Sequence, residues 1–295
     1  MGKVTISTLQ KKKAEGEKFV CITAYDATFA RIISEAGAET MLVGDSLGMV
    51  LQGHDSTIPV TVEHMRYHTE CVSRAAQEAL VIADMPFMSY ATPRQAMENA
   101  TLLMQAGAQM VKMEGGTWLS DTISNLVERG VPVCAHLGLT PQSVNTFGGY
   151  KVQGRTPKEA KSILADAVEI QDAGASLLVL ECVPSHLASD ISRKLDIPVI
   201  GIGAGAGTDA QVLVMHDLLG LSEHTARFVQ NFMQGQATIQ DGIKAVVEAV
   251  IAGDYPHEEH SSQEFNLPVV TRFLGKNPFV TPKMLPSVTT CVNFS

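Results

Sequence analysis

Short apolar runs alternate with amphipathic stretches along most of the chain. Runs at 19–24, 40–44, 80–84, 109–113, 131–136, 176–181, 198–203 and 211–216 have the length of buried strands. Between them, 26–36, 94–106, 156–173 and 185–195 carry apolar residues at helical spacing. Three helical stretches close on one phrase: Glu-Ala-Gly-Ala (35–38), Gln-Ala-Gly-Ala (105–108) and Asp-Ala-Gly-Ala (172–175). A glycine there suits the left-handed residue that ends a helix before the chain re-enters a strand. Repeated strand–helix units argue for a parallel sheet. Eight of them predict a single (β/α)8 barrel over residues 1–260, a doubly wound open sheet being the alternative. Helix is expected to run on through 218–253. Beyond it Pro268, Pro278, Pro282 and Pro286 stand in a stretch of little periodicity, which predicts a loosely ordered tail over 261–295.

Size and composition narrow the class. A chain of 295 residues suits a barrel of this kind, which typically needs about 250. With 45% apolar and 18% charged residues it fills a full core and is no disordered chain. The net charge of −9 argues against nucleic acid and anionic membrane, which need basic surface. It also means that an anionic substrate must be caught by a local cation. No apolar run approaches the ~18 residues of a membrane span, and no apolar signal core follows Met1. A soluble, cytoplasmic protein is expected. The five cysteines show no Cys-x-x-Cys spacing, so neither a zinc knuckle nor a redox pair is signalled.

Barrel enzymes place their chemistry at the C-terminal ends of the strands, and five consecutive predicted strands finish there with ionisable groups. These are Asp45, Asp84, the pair Lys112 and Glu114, His136, and Glu181. Side chains alternate along a strand, so Lys112 and Glu114 share one face. By the same count Asp84 continues the stripe of Ile82, Glu181 that of Val179, and Asp45 that of Val43. Asp45, Asp84 and Glu114 together invite a hard divalent cation, magnesium before zinc given oxygen donors and no Cys/His cluster. Positions left open on such a cation suit a 2-oxo acid, whose carboxylate and ketone oxygens chelate. Lys112 has two readings: a Schiff-base amine, or a charged ammonium that binds the substrate carboxylate. The three acids nearby favour the second. Glu181, at an apolar strand end, has the setting of a general base. His136 is placed to hydrogen-bond the substrate or to orient a ligand.

Other motifs carry less. His64 and His68 stand four apart, but no Glu follows His64, so the zinc-protease pattern fails and they are expected on a helix surface. The run Gly201-Ile-Gly-Ala-Gly-Ala-Gly207, with Glu223 beyond it, imitates a dinucleotide fingerprint. It follows a seventh strand instead of opening a first unit, so a tight turn or a close backbone approach explains it better. Glycine-rich 145–155, after the fifth strand, is a candidate lid.

Taken together, these stretches resemble the ketopantoate hydroxymethyltransferase family. The likeness rests on Thr-Ala-Tyr-Asp-Ala (23–27), Val-Gly-Asp-Ser-Leu-Gly-Met-Val (43–50), Ala-Asp-Met-Pro-Phe (83–87) and Val-Lys-Met-Glu-Gly-Gly (111–116). It continues through Ala-His-Leu-Gly-Leu-Thr-Pro-Gln (135–142), Gly-Gly-Tyr-Lys-Val-Gln-Gly-Arg (148–155), Leu-Glu-Cys-Val-Pro (180–184) and Gly-Ile-Gly-Ala-Gly (201–205). The resemblance implies a (β/α)8 barrel assembled as a homo-oligomer, commonly a decamer. Its implied reaction carries a hydroxymethyl unit from 5,10-methylenetetrahydrofolate to 3-methyl-2-oxobutanoate, giving 2-dehydropantoate for pantothenate and coenzyme A. It further implies Asp45 and Asp84 as Mg²⁺ ligands with Glu114 beside them, directly or through water. Asp45, Ser46, Asp84, Lys112 and His136 would then meet the oxo acid, and Glu181 would accept the proton. The tail after about residue 262 has no counterpart in that pattern. Three alternatives stay open: a Mg²⁺-dependent lyase of the isocitrate lyase type, a Lys112 Schiff-base aldolase, and a catalytically silent barrel scaffold. The lyase reading lacks its reactive Lys-Lys-Cys-Gly-His-like loop.

Overall fold

The computed structural model describes residues 2–223 and 225–261, so most of the stretch expected to be a tail lies outside the described residues. The first half of the chain runs α1 (Ile6–Glu15), β1 (Phe19–Thr23), α2 (Ala27–Glu35), β2 (Thr40–Val43), α3 (Leu47–Val50), α4 (Val62–Ser73), β3 (Leu80–Asp84), α5 (Pro93–Gln105), β4 (Met110–Glu114) and α6 (Ser120–Val127). The second half runs β5 (Val133–Gly138), α7 (Val144–Phe147), α8 (Pro157–Asp172), β6 (Leu177–Glu181), α9 (Ser185–Lys194), β7 (Val199–Ile202), β8 (Ala210–Leu213), α10 (Met215–Leu218) and α11 (Ile239–Ala252). Strands pair in parallel and in sequence order, and β8 returns to β1, which closes the barrel. The open-sheet alternative falls with that closure.

Local chemistry explains where the helices start and stop. Side-chain oxygens of Asp26, Thr92, Thr156 and Thr238 accept backbone N–H bonds at the starts of α2, α5, α8 and α11. Thr156 and Glu159 complete a reciprocal capping box. At the other ends, Gly37, Gly107 and Gly174 of the Ala-Gly-Ala phrases take φ of 90°, 108° and 106°, the left-handed turn expected of them. The long helix expected over 218–253 is not one helix. Gly220 turns the chain at φ 69° after α10, no helix forms among the described residues of 219–238, and α11 restarts at the Thr238 cap. β8 likewise stops at Leu213, short of the expected 216, because Val214 already starts α10. Among the described residues no helix is long and apolar enough to cross a membrane.

Alternation along the strands builds two cores. Cys21, Leu42, Ile82, Met110, Cys134, Val179, Ile200 and Val212 fill the barrel interior. Ile22, Val43, Val81, Val111, Ala135 and Leu178 face outward and pack with the helices. α1 closes the N-terminal end of the barrel, with Leu9 buried in the interior cluster. Its lysines tie it down. Lys12 pairs with Glu39 at 2.9 Å, and Lys13 donates to Asp209 Oδ2 and to the Ser192 carbonyl, each at 2.7 Å. Asp209 Oδ2 also accepts from Val199 N–H (2.8 Å) and Ser192 Oγ (3.0 Å).

The mouth at the other end is thereby the one left open for chemistry. Replacing Asp209 by Ala strands a largely buried ammonium and a strand N–H together. We expect a loss of about 2–4 kcal/mol, read as a lower unfolding midpoint; an unchanged midpoint would show that α1 is not anchored through this acid.

Candidate active site

Strand register determines which charges meet. Asp84 on β3 is the ladder partner of Lys112 on β4, Glu114 that of His136 on β5, and Gly138 that of Glu181 on β6. The charges thus climb the barrel wall towards its mouth. Lys112, Glu114 and Asp84 continue the inward stripes of Met110 and Ile82, as alternation requires. Asp45 reaches the same place differently. Val43 faces the helix layer, so the alternation argument would send Asp45 outward; β2 ends at Val43, and the turn at Gly44 brings Asp45 in. A Cβ on Gly44 would stand 2.7 Å from Ser46 Oγ, so glycine leaves the Ser46 hydroxyl its place over the turn.

All these side chains are buried or nearly so: Asp45, Asp84, Lys112, Glu114 and His136 are each at most 4% exposed. Lys112 Nζ lies 2.8 Å from Asp84 Oδ1 and 3.8 Å from Glu114 Oε1. The Asp84 contact is a buried ion pair. Asp84 Oδ2 accepts from the Asp45 N–H at 3.0 Å. Glu181 stands at the edge of the group, 3.4 Å from His136 Nε2 and out of hydrogen-bond alignment with it. Ser46, at the start of α3, shares a 2.9 Å hydrogen bond with the Tyr25 hydroxyl.

Electrostatics sort these groups. Burial works against the Lys112 ammonium, but Asp84, Glu114 and Asp45 outweigh it and raise its pKa. A Schiff base needs the neutral amine, so this environment opposes the aldolase reading. His136 Nδ1 lies 3.2 Å from Lys112 Nζ and 3.3 Å from Glu114 Oε1, and cannot accept from one while donating to the other. Burial and Lys112 lower its pKa; Glu114 and Glu181 raise it further, to about 9. The imidazolium facing the carboxylates is therefore the form we assign. Glu114 is lowered despite its burial, chiefly by His136 and then by Lys112. Asp45 goes the other way: burial first, then Asp84 and Glu114, push its pKa well up. Four carboxylates face one ammonium and one imidazolium, and Asp45 is the acid left short of positive charge.

Residues that the strand-end reading passed over complete the network. Gln142, 5% exposed, binds Asp45 and Glu114, and Tyr90 binds Gln142. Both sit one turn beyond a strand end, where a search of strand ends does not look. A cleft of about 110 Å³ opens beside them, lined by Phe87, Met88, Tyr90, Glu114, Trp118 and Gln142 among others. From the candidate lid, Tyr150 Oη reaches Met49 Sδ (3.6 Å) across the mouth. Burial, then the charges of Glu181, Asp45 and Glu114, raise the Tyr150 phenol. The remaining motifs serve packing. Gly203, Gly205 and Gly207 lie against Phe228, Ser185 and Ser189. His64 caps α4 through Thr61, and His68 Nδ1 meets the Tyr25 carbonyl at 2.7 Å, so it is held inward and is not a plain surface residue.

Residues 3–258 match the family model described as ketopantoate hydroxymethyltransferase. The chain belongs to that family. Relatives named 3-methyl-2-oxobutanoate hydroxymethyltransferase from Shewanella denitrificans and Shewanella oneidensis are 60% and 59% identical over 262 residues, 88% of this chain and 99% of theirs. Among solved structures, a 2,3-dimethylmalate lyase of the PEP mutase/isocitrate lyase superfamily aligns with TM-score 0.55 at 20% identity, over 74% of this chain and 83% of its own. A phosphonopyruvate hydrolase in complex with oxalate and Mg²⁺ aligns with TM-score 0.55 at 13% identity, over 72% and 81%. At such identities the likeness shows a shared fold and nothing of the chemistry.

Removing one member of a buried ion pair costs more than removing both. Lys112→Met is expected to lower stability by about 3–5 kcal/mol, and adding Asp84→Asn to recover part of that loss. Urea unfolding of the two variants reads the difference; a double variant less stable than Lys112→Met would contradict the pairing.

Proposed function

We propose that this chain transfers a hydroxymethyl group to 3-methyl-2-oxobutanoate, with 5,10-methylenetetrahydrofolate as donor, giving 2-dehydropantoate and tetrahydrofolate. The observation that carries the reading is the meeting of Asp45, Asp84 and Glu114 around Lys112, with Glu181 alongside across His136. Family membership supplies the substrate. The oxygen donor set fits Mg²⁺. Asp84 Oδ1 is buried 2.8 Å from the Lys112 ammonium, and the Asp45 carboxylate bonds to Gln142 through Oδ2 alone. A divalent cation would also supply the positive charge that Asp45 lacks. Among the described residues no three His, Cys, Asp or Glu form a ready-made shell. We therefore assign Asp45 and Asp84 as the direct ligands, with Glu114, which is engaged by Gln142 and His136, beside them. Bound there, Mg²⁺ supplies Lewis-acid polarisation of the chelating oxo acid.

The chain's own groups do the rest. Glu181 removes the C3 proton, and the charged Lys112 stabilises the negative charge that develops on the enolate oxygen. Ser46 and His136 contact the oxo acid, with His136 Nε2 3.4 Å from Glu181. The enolate carbon bonds to the one-carbon unit of the folate; both C–N bonds of the methylene bridge break, the two folate nitrogens take the C3 proton and one proton of a water to leave as tetrahydrofolate, and the OH of that water becomes the new hydroxyl. Loop 145–155, with Tyr150 across the mouth, keeps stray water from the enolate. We also place the active protein in the cytoplasm as a homo-oligomer, a decamer by family resemblance.

Two experiments test this. Calorimetric titration with 3-methyl-2-oxobutanoate should show binding with Mg²⁺ and none without it; equal binding in both would remove the cation from the mechanism. Glu181→Gln should lower kcat by about 10²–10⁴ and abolish deuterium exchange at C3 of the bound oxo acid. Exchange at the normal rate would take Glu181 out of the proton-acceptor role.

A further inference from the structure

Gln142 touches two of the candidate cation ligands at once. Its backbone N–H donates to Glu114 Oε2 at 2.9 Å, and its side-chain Nε2 donates to Asp45 Oδ2 at 2.8 Å and to the Met85 carbonyl at 3.0 Å. Its Oε1 accepts from the Tyr90 hydroxyl at 2.6 Å. Tyr90 is itself held from β4, where its oxygen accepts the Glu114 N–H at 3.2 Å. Both amide hydrogens and the amide oxygen are thus committed. Turning the amide over would set Oε1 against Asp45 Oδ2, acceptor against acceptor, and would leave the Tyr90 hydroxyl facing a donor. The acceptors Asp45 Oδ2 and the Met85 carbonyl therefore fix which way the amide faces, and the Tyr90 hydroxyl, donating to Oε1, supports that orientation. With Oδ2 held by Gln142, the other oxygen of Asp45 is the one presented to the site.

We infer that Gln142 is a positioning residue for the cation, holding the Asp45 carboxylate in the orientation that binds it and Glu114 in place beside it, with Tyr90 supporting the amide. The inference rests on the proposed Mg²⁺ reading of this site. Mere packing would be served as well by an apolar side chain of the same size; instead a buried amide spends its polar atoms on the acids and their neighbours. The bond to Glu114 comes from the backbone and survives substitution, so side-chain variants isolate the Asp45 half. Partners of this kind, behind metal ligands, typically change metal affinity 10–100-fold when removed.

The test is Mg²⁺ titration by calorimetry of the full chain, as wild type, Gln142→Leu and Tyr90→Phe. Gln142→Leu should bind Mg²⁺ about 10–100-fold more weakly and regain much of its kcat at saturating Mg²⁺, which a general packing defect would not allow. Tyr90→Phe, which keeps the amide but removes that support, should weaken Mg²⁺ binding in the same direction and by less. Wild-type affinity in Gln142→Leu overturns the inference. Should that variant fail to fold, Tyr90→Phe decides, and an unshifted affinity there overturns it equally. A wild type that binds no Mg²⁺ removes the cation reading itself, an outcome distinct from normal wild-type binding with unshifted variants.

Discussion

Taking the Lys112 ammonium out of water inside a barrel costs several kcal/mol, and the rest of the mouth is arranged around offsetting that cost. Asp84 lies 2.8 Å away on the neighbouring strand, and Glu114 lies two residues along the same one. Burial, and then those two acids, raise Asp45, while Glu114 and Glu181 bring His136 to the charged form against its burial. Each group is tolerable only because the others are present. One ammonium and one imidazolium do not balance four carboxylates, and the proposed Mg²⁺ would offset that surplus of negative charge. Positive charge fixed in a dry setting is also what a developing enolate needs. Folding and chemistry therefore draw on the same few contacts.

The barrel makes this arrangement possible by closing one end and opening the other. α1, with Leu9 in the interior and Lys13 on Asp209, seals the N-terminal side. Apolar layers from Cys21 to Val212 fill the middle. Asp45, Asp84, Lys112, Glu114, His136 and Glu181 thus gather towards the C-terminal ends of the strands and the first residues after them. Tyr150 spans that opening from the β5 side to Met49 on the β2 side. The apolar rim of Phe87, Met88 and Trp118 stands beside it, each more than 40% exposed.

Much of this was legible in the sequence, for identifiable reasons. Strands of a closed parallel barrel are buried on both faces, so β3, from Leu80 to Asp84, reads as an apolar run with a charge at its end. Alternation then placed Asp84, Lys112 and Glu114 inward without further help. The same rule failed at Asp45, because it counts residues along a strand that had already stopped at Val43. Gln142 and Tyr90 were missed for a related reason: they are uncharged, lie in turns, and acquire meaning only when their hydrogen bonds to Glu114 and Asp45 are seen. The helix expected over 218–253 went wrong through composition, since apolar residues on either side of 219–238 hid the break at Gly220. Asp45, Asp84, Lys112, Glu114, His136 and Glu181 share one mouth; their chemical roles were not legible from position alone.

The register of the ladders has a consequence for how such a chain can vary. Asp84 pairs with Lys112, Glu114 with His136 and Gly138 with Glu181, a staircase in which each step depends on the parity of the strand beneath it. A single residue inserted into β3, β4, β5 or β6 would swing that strand's charge out among the helices and orphan its neighbour. Insertions in the loops beyond the first turn disturb no such count. A chain of this design accommodates a change of length in its connecting segments and not in its four charged strands.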